Sequence, residues 1–185
     1  MRTFVAVNLP ESVRDQIGEH LDSFHRVARG IGWVPPCNAH ITMKFLGDVP
    51  QANLEDVSQA VQTAVEGARR FDVELGGFGA FPNFRKPRVF WVGITKGLEP
   101  LRELAAAIDR ELHLLGYEKE KRKFSAHATL GRIRKPGNYQ ALEQAANKAQ
   151  YSSGAFTVPS VEIMKSVLTP QGAQYSIFES FALEG

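Results

Sequence analysis

Residues 40–43 are HITM and residues 127–130 are HATL, so one short pattern, His-x-Thr followed by an apolar residue, occurs twice in the chain. The two histidines are separated by close to half of the 185 residues. Apolar residues alternate with the His and Thr of each copy, as in half-buried β-strands, and alternate side chains of a strand share a face. The pattern therefore predicts two strands, each with a histidine and a threonine on one face and apolar side chains on the other.

The regions around the two motifs predict an α+β fold. Several predicted strands follow one another without an intervening helix, which favours antiparallel sheets over a doubly wound parallel sheet. Gly76, Gly77 and Gly79 predict a flexible bend, and residues 170–172 (PQG) predict the turn of a closing hairpin. If the two halves of the chain pack about a pseudo-two-fold axis, the His-x-Thr faces meet in a central cleft. The predicted helices are 11–29, 54–65, 98–115 and 139–149, and the predicted strands are 4–9, 40–46, 71–75, 89–94, 124–133, 155–158, 161–168 and 175–183.

The composition is that of an ordinary globular domain with a slight basic excess. The chain is 43% hydrophobic and 23% charged, with a formal net charge of +2 and a pI near 8.7. This charge is compatible with an anionic ligand without requiring one. Cys37 is the single cysteine, so an internal disulfide is excluded. No apolar stretch approaches the roughly 18 residues of a membrane span, and we expect a cytoplasmic protein that does not bind membranes.

Two imidazoles that face each other, each beside a hydroxyl, suit the chemistry of a phosphodiester. In-line displacement at phosphorus needs a base on the entering oxygen and an acid on the leaving oxygen, and histidine titrates near neutral pH. Thr42 and Thr129 are placed to donate hydrogen bonds to the non-bridging phosphate oxygens. From the residues alone, two other interpretations stay open. His40 and His127 are then either ordinary half-buried strand residues, or zinc ligands whose third partner no spacing in the chain identifies.

The longer segments around both motifs resemble the two-histidine phosphoesterase superfamily. Residues 36–48 (PCNAHITMKFLGD) and 123–132 (KFSAHATLGR) are most similar to the paired motifs of the bacterial and archaeal RNA 2′,3′-cyclic phosphodiesterases, also called 2′-5′ RNA ligases. Residues 2–10 (RTFVAVNLP) resemble the opening strand of that family, and residues 166–175 (SVLTPQGAQY) resemble its closing hairpin. The resemblance thus covers nearly the whole chain.

The resemblance implies one bilobal domain, residues 1–185, built by internal duplication. Each of the two lobes, related by a pseudo-two-fold axis, is an antiparallel sheet with flanking helices, and the active site lies in the cleft between them. The implied reaction is the hydrolysis of an RNA 2′,3′-cyclic phosphate end to a 2′-phosphomonoester, without a metal or a cofactor. By position in the motifs, His40 is the proton donor to the leaving 3′ oxygen, His127 is the proton acceptor from water, and Thr42 and Thr129 bind the phosphate.

Two alternative functions remain beside hydrolysis. One is an RNA-end binding module with little turnover, and the other is reversible 2′-5′ ligation of RNA at the same site. The expected partner is an RNA with a 2′,3′-cyclic phosphate end, such as a tRNA fragment, or a small cyclic nucleotide. We expect a monomer without an obligate protein partner.

Further residues are candidates for contacts with RNA. Arg132 lies on the opposite strand face from His127 if the strand is regular, and a bend at Gly131 is needed to bring it to the cleft, where it binds phosphate. Lys44 shares the face of His40 by its i+4 spacing and is a candidate for a weaker phosphate contact. The candidates for base stacking are Trp33, Phe81, Phe84 and Tyr175. The basic residues expected at the rim are Arg85, Lys86, Arg88, Lys119, Lys121, Arg122, Lys123, Arg134 and Lys135.

Overall fold

The strands of the computed structural model, which describes residues 1–170 and 172–185, form a single antiparallel sheet. Its order is β7-β4-β5-β6-β3-β1-β8-β9, and β2 pairs with β6 beside this path. The sheet is curled into a half-barrel. The strands are β1 (Arg2–Asn8), β2 (Ile31–Trp33), β3 (His40–Asp48), β4 (Phe71–Phe81), β5 (Val89–Lys96), β6 (His127–Ile133), β7 (Phe156–Val158), β8 (Ser160–Thr169) and β9 (Gly172–Ala182). The helices are α1 (Glu11–Val27), α2 (Leu54–Val65), α3 (Leu98–Leu114) and α4 (Gln140–Lys148).

The two motif strands are neighbours at the centre of the sheet. Strand β3 meets β6 at one antiparallel residue pair, Ile41 with Ala128. The strand order on the two sides of this junction is related by symmetry, with β5 and β4 beyond β6 and β1 and β8 beyond β3. We call the first group, with β7 and β2, the His127 lobe, and the second group, with β9, the His40 lobe. The predicted α+β class with antiparallel pairing is confirmed, and each lobe combines strands from both halves of the chain.

The helices bury their apolar stripes against one face of the sheet. Helix α1 contributes Val13, Ile17, Leu21 and Phe24 to the core, and α3 contributes an equivalent stripe. Apolar side chains from the four helices and from the covered sheet face belong to one buried cluster. Each fully buried Leu, Ile or Phe contributes about 1.5–3 kcal/mol relative to an exposed one. The opposite, concave face carries the polar motif side chains together with a second, smaller apolar cluster of Phe4, Ala6 and Met164.

Some element boundaries differ from the sequence predictions. Gly76, Gly77 and Gly79 lie within β4 and not in a bend, because a register shift between Gly76 and Phe78 absorbs the positive φ of Gly77 without ending the strand. Strand β2 was not predicted, since its three residues pair only with the distant β6. Strand β6 begins at His127, later than predicted. The closing hairpin is confirmed by the pairing of Thr169 with Gly172, and Gln171 of its predicted turn lies outside the described residues.

Lys44 does not contact the site, contrary to the sequence prediction. Its side chain points into the core face of β3, where the ammonium pairs with the Asp109 carboxylate of α3 and donates to the Glu118 carbonyl at 2.8 Å. Burial raises the pKa of Asp109. The Lys44 ammonium and the Glu120 N–H together lower it by more, so the net pKa lies below its ordinary value. The pair therefore fastens the His40 strand to α3.

Lys44→Met is expected to lower the free energy of unfolding by roughly 3 kcal/mol, because it leaves the half-enclosed Asp109 carboxylate without its cation. Urea denaturation at pH 7 measures this loss. The matched control is Lys96→Met, which removes a cation from the exposed Lys96–Asp72 pair and is expected to cost about 1 kcal/mol or less.

The pH dependence follows from the lowered pKa of Asp109. The difference in the free energy of unfolding between wild type and Lys44→Met is fully present above the pKa of an unfolded carboxyl group. It is expected to shrink as the pH falls below about 4. Equal effects of the two lysine substitutions, or a difference that grows in acid, would contradict this account.

Candidate active site

A β-bulge follows the His-x-Thr unit in both motif strands. In β3, Ala6 pairs with Thr42 and Val5 with Lys44, so Met43 is an extra residue. In β6, Trp91 pairs with Thr129 and Phe90 with Gly131, so Leu130 is the extra residue. An extra residue reverses the alternation of side chains beyond it. The bulges therefore place the histidine, the second residue after it and the fifth residue after it on the same face of each strand.

The bulge accounts for the position of Arg132. Arg132 pairs with Val89, and its side chain shares the face of His127 and Thr129. The distortion predicted at Gly131 is thus present, but it lies one residue earlier, at Leu130. Glycine at 131 is favoured by the close approach of β2, because a Cβ there would lie 2.7 Å from Cγ2 of Ile31. The bulge in β3 also explains the position of Lys44. Because Met43 is the extra residue, Lys44 lies on the core face, and Phe45 is the next side chain on the concave face.

The junction of β3 and β6 brings the two motifs together. Because Ile41 faces Ala128 in an antiparallel pair, His40 stands across from Thr129 and Thr42 stands across from His127. The histidines are then diagonal neighbours, which are typically about 7–8 Å apart with their Cβ atoms somewhat closer. Both imidazoles therefore lie on the concave face, close enough for the charge of His127 to act on His40.

Each imidazole is held by the backbone two residues before it. Nδ1 of His40 lies 2.7 Å from the carbonyl oxygen of Asn38, and Nδ1 of His127 lies 2.7 Å from that of Ser125. A carbonyl only accepts, so Nδ1 carries the proton and donates it in both rings. Nε2 of each ring is then an acceptor when the imidazole is neutral and a donor when it is charged. In His40 this nitrogen lies 3.0 Å from the Thr42 hydroxyl.

Aromatic side chains enclose both imidazoles. Phe4 stacks on His40 at a centroid distance of 4.8 Å, and Tyr175 meets the same ring edge-on at 5.4 Å. Phe81 meets His127 edge-on at 5.0 Å. Trp91 lies 6.5 Å from His127 and occupies a site that a Cβ at Gly79 or Gly93 would obstruct. These contacts restrict the orientation of both imidazole planes.

Burial lowers the pKa of both histidines. For His40, the bond to Asn38 raises the pKa, while the positive charges of Arg14, Arg132 and His127 lower it, and the net pKa is below 6.5. For His127, the bond to Ser125 raises the pKa and Arg132 lowers it, again with a net value below 6.5. The charge of Arg132 therefore acts on both rings, in agreement with its place on their face of the sheet.

A cleft of about 550 Å³ lies in the His40 lobe and is lined by Phe4 and Tyr175, the two aromatic residues that contact His40. Phe4 and Tyr175 reach it from the side of His40, and Arg132 closes it from the other strand. Phe45 lines the cleft with 66% of its surface exposed, which is unusual for a phenylalanine on a sheet. The cleft thus combines a cation with an open aromatic face, a combination that suits a nucleotide.

The structure supports some of the secondary candidates and not others. Phe81 and Tyr175 adjoin the histidines, whereas Trp33 packs on His25 and Phe90, and Phe84 packs against the core. Sequence reasoning missed Phe4, Trp91 and Phe45. The signal for Phe45 was available in principle, because it occupies the same position after His40 as Arg132 does after His127.

The described residues contain no cluster of three or more His, Cys, Asp or Glu side chains arranged to hold a metal ion. Among the same residues, no helix is long and apolar enough to cross a membrane.

Comparison with known proteins gives consistent likenesses. A family model described as LigT-like phosphoesterase matches residues 7–91 and again residues 92–175. A protein of Methanothermobacter thermautotrophicus named RNA 2′,3′-cyclic phosphodiesterase is 33% identical over 184 residues, 99% of each chain. A protein of the same name from Thermotoga maritima is 30% identical over 186 residues, 100% of this chain and 97% of its own.

Solved structures share the fold. A Thermus thermophilus protein has a TM-score of 0.81 at 29% identity, over 100% of this chain and 99% of its own. Escherichia coli LigT, solved with 3′-AMP, has a TM-score of 0.76 over 98% of this chain and 97% of its own. At 22% identity the second likeness concerns the fold alone.

Arg132→Gln is expected to raise the pKa of both His40 and His127, because a neighbouring cation disfavours the imidazolium form and its removal relieves that cost. NMR titration of the imidazole nitrogens measures both values in one experiment. Arg134→Gln is the matched control, since Arg134 follows β6 and contributes to neither lowered pKa. A shift confined to one histidine, or the same shift in the control, would show that Arg132 does not face both rings.

Proposed function

Because this chain belongs to the LigT-like phosphoesterase family, we propose that it is an RNA 2′,3′-cyclic phosphodiesterase, a hydrolase that opens the cyclic phosphate to a 2′-phosphomonoester. The names of full-length relatives at 30–33% identity support this activity. The observation that carries the proposal is the pair of His-x-Thr faces that meet across the β3–β6 junction, each with its histidine anchored through Nδ1 so that Nε2 is left for proton transfer.

The two histidines act as acid and base in one in-line displacement. His127 accepts a proton from water through Nε2 as the water oxygen bonds to phosphorus. The bond from phosphorus to the 3′ oxygen breaks, and His40 gives its Nε2 proton to that oxygen. The 2′ ester bond is retained. A substrate anion between the rings stabilises the imidazolium of His40, which offsets the effect of burial and of the arginines.

Thr42, Thr129 and Arg132 bind the phosphate. The cross-strand positions place one hydroxyl beside each imidazole, so that the threonines donate to the two non-bridging oxygens. The Arg132 guanidinium stabilises the charge that grows on these oxygens in the transition state. This assignment needs no metal ion, and no cofactor takes part.

The terminal nucleoside lies on the side of His40. In-line geometry puts the leaving 3′ oxygen, and hence the ribose, opposite the attacking water, and His40 is the donor to that oxygen. The aromatic cleft of about 550 Å³ lies in the same lobe. The exposed ring of Phe45 is then the platform on which the terminal base stacks.

The natural partner in this proposal is RNA with a 2′,3′-cyclic phosphate end. We further propose that residues 1–185 act as one duplicated, bilobal domain, and that the protein works as a cytoplasmic monomer.

His40→Ala and His127→Ala are each expected to lower kcat/KM for adenosine 2′,3′-cyclic phosphate by at least about a hundredfold, the usual scale for a general acid or base. Chromatography of the products measures the rate and shows whether the 2′-phosphate is formed. Wild-type activity is expected to be unchanged in EDTA. The control is His113→Ala, which alters an exposed histidine near the end of α3.

Loss of wild-type activity in EDTA and recovery with zinc would reject the metal-free mechanism. Full activity in either histidine variant would reject the acid–base pair. The profile of kcat/KM against pH is expected to be bell-shaped with its maximum below about pH 6.5, because both pKa values are lowered. Binding of the substrate without any product would favour an RNA-end binding module instead.

Phe45→Ala is expected to raise KM for adenosine 2′,3′-cyclic phosphate about tenfold and to change kcat little, since stacking of a base on an aromatic ring contributes about 1–3 kcal/mol. Steady-state kinetics separates the two constants. Phe178→Ala is the control, because Phe178 is also exposed but does not line the cleft. An unchanged KM, or an equal effect of the control, would show that the base lies elsewhere.

A further inference from the structure

Two helices, α1 and α3, each carry an arginine directly after their first buried residue. Arg14 follows Val13 in α1, and Arg102 follows Leu101 in α3. Arg14 lines a cavity of about 260 Å³ that His40 also lines, and Arg102 lines a cavity of about 530 Å³ beside the segment that ends at His127. In both side chains Nε is buried and has no hydrogen-bond acceptor among the described residues. A guanidinium with an unmet buried donor is suited to an anionic ligand.

The surroundings of the two arginines differ in charge. Arg102 forms an ion pair with Glu99, with Nη1 3.3 Å from the carboxylate. Nη2 of Arg14 donates instead to the neutral amide oxygen of Asn8 at 3.3 Å, and no ion pair of the described chain includes Arg14. The positive charge of Arg14 is therefore not offset by a partner of its own.

A buried carboxylate holds Asn8 in place. Glu162 is 5% exposed, and its Oε2 accepts from both the backbone N–H and the side-chain amide of Asn8 at 3.3 Å. Its Oε1 accepts from the hydroxyls of Ser160 and Ser180. The amide orientation of Asn8 is thus fixed, with its oxygen turned to Arg14. Strand β8, strand β1 and helix α1 together position this guanidinium beside the cavity next to His40.

We infer that Arg14 binds the phosphate on the 5′ side of the terminal nucleotide of the RNA. The inference rests on the proposed function, in which the ribose lies on the side of His40. From that ribose the chain continues through C5′ to the next phosphate, which is the nearest anion of the substrate after the cyclic phosphate itself. Arg14 then lets the enzyme distinguish an RNA end from a nucleoside 2′,3′-cyclic phosphate that lacks a 5′ phosphate.

The test compares two substrates that differ by one group: adenosine 2′,3′-cyclic phosphate, and the same compound with a 5′ phosphate. The quantity measured is the ratio of kcat/KM for the 5′-phosphorylated compound to that for the other. This ratio cancels effects on folding and on His40 that both substrates share. Arg14→Gln is expected to lower the ratio about tenfold, the scale of one charge-assisted hydrogen bond. Arg102→Gln, the same change on the opposite side, is expected to leave the ratio within about twofold of wild type.

A dinucleotide ending in a 2′,3′-cyclic phosphate is expected to behave as the 5′-phosphorylated nucleotide does. An unchanged ratio in Arg14→Gln, or a fall in Arg102→Gln instead, would overturn the inference while the proposed function stands. Absence of turnover of every substrate by the wild type would reject the proposed function, and this inference with it.

Discussion

The candidate site depends on a single contact between two strands, the pairing of Ile41 with Ala128. This pair joins the two lobes into one sheet and sets the register between the motifs. A slip of one residue would turn either His-x-Thr face into the core, because side chains alternate along a strand. Contacts on the core face disfavour such a slip, because Ile41 and Ala128 are fully buried there and Lys44 forms its ion pair with Asp109 of α3.

The second constraint is the bulge after each motif. A regular strand would have directed Arg132 away from His127 and Phe45 away from His40. The extra residue restores each of them to the concave face, next to the space between the imidazoles. The same distortion thus serves two different side chains. One side of the cleft gains a cation, Arg132, and the other gains an exposed aromatic surface, Phe45.

The site is therefore symmetric in its framework and asymmetric in its chemistry. Both imidazoles are anchored through Nδ1 by the carbonyl two residues earlier, and both have a lowered pKa. The differences lie in what surrounds them. On the His40 side is Arg14, which bonds to Asn8, itself fixed by Glu162. On the His127 side is Trp91, whose ring packs against Gly79 and Gly93. In the reaction proposed above, the entering water and the leaving ribose are unlike, and these differences would let the two sides of the cleft serve them separately.

The sequence by itself determined the elements that depend on local pattern. The repeated His-x-Thr, the helical stripes and the alternation in the strands predicted the antiparallel α+β class, most of the elements and the histidines of the candidate site. Only the tertiary structure decided the side on which Lys44, Phe45 and Arg132 lie, the existence of β2, and the pairing of Asn8 with Glu162 and Arg14. Each of these features depends either on an extra residue in a strand or on partners that are far apart in the chain. A bulge and a long-range contact leave no periodic signal in the sequence.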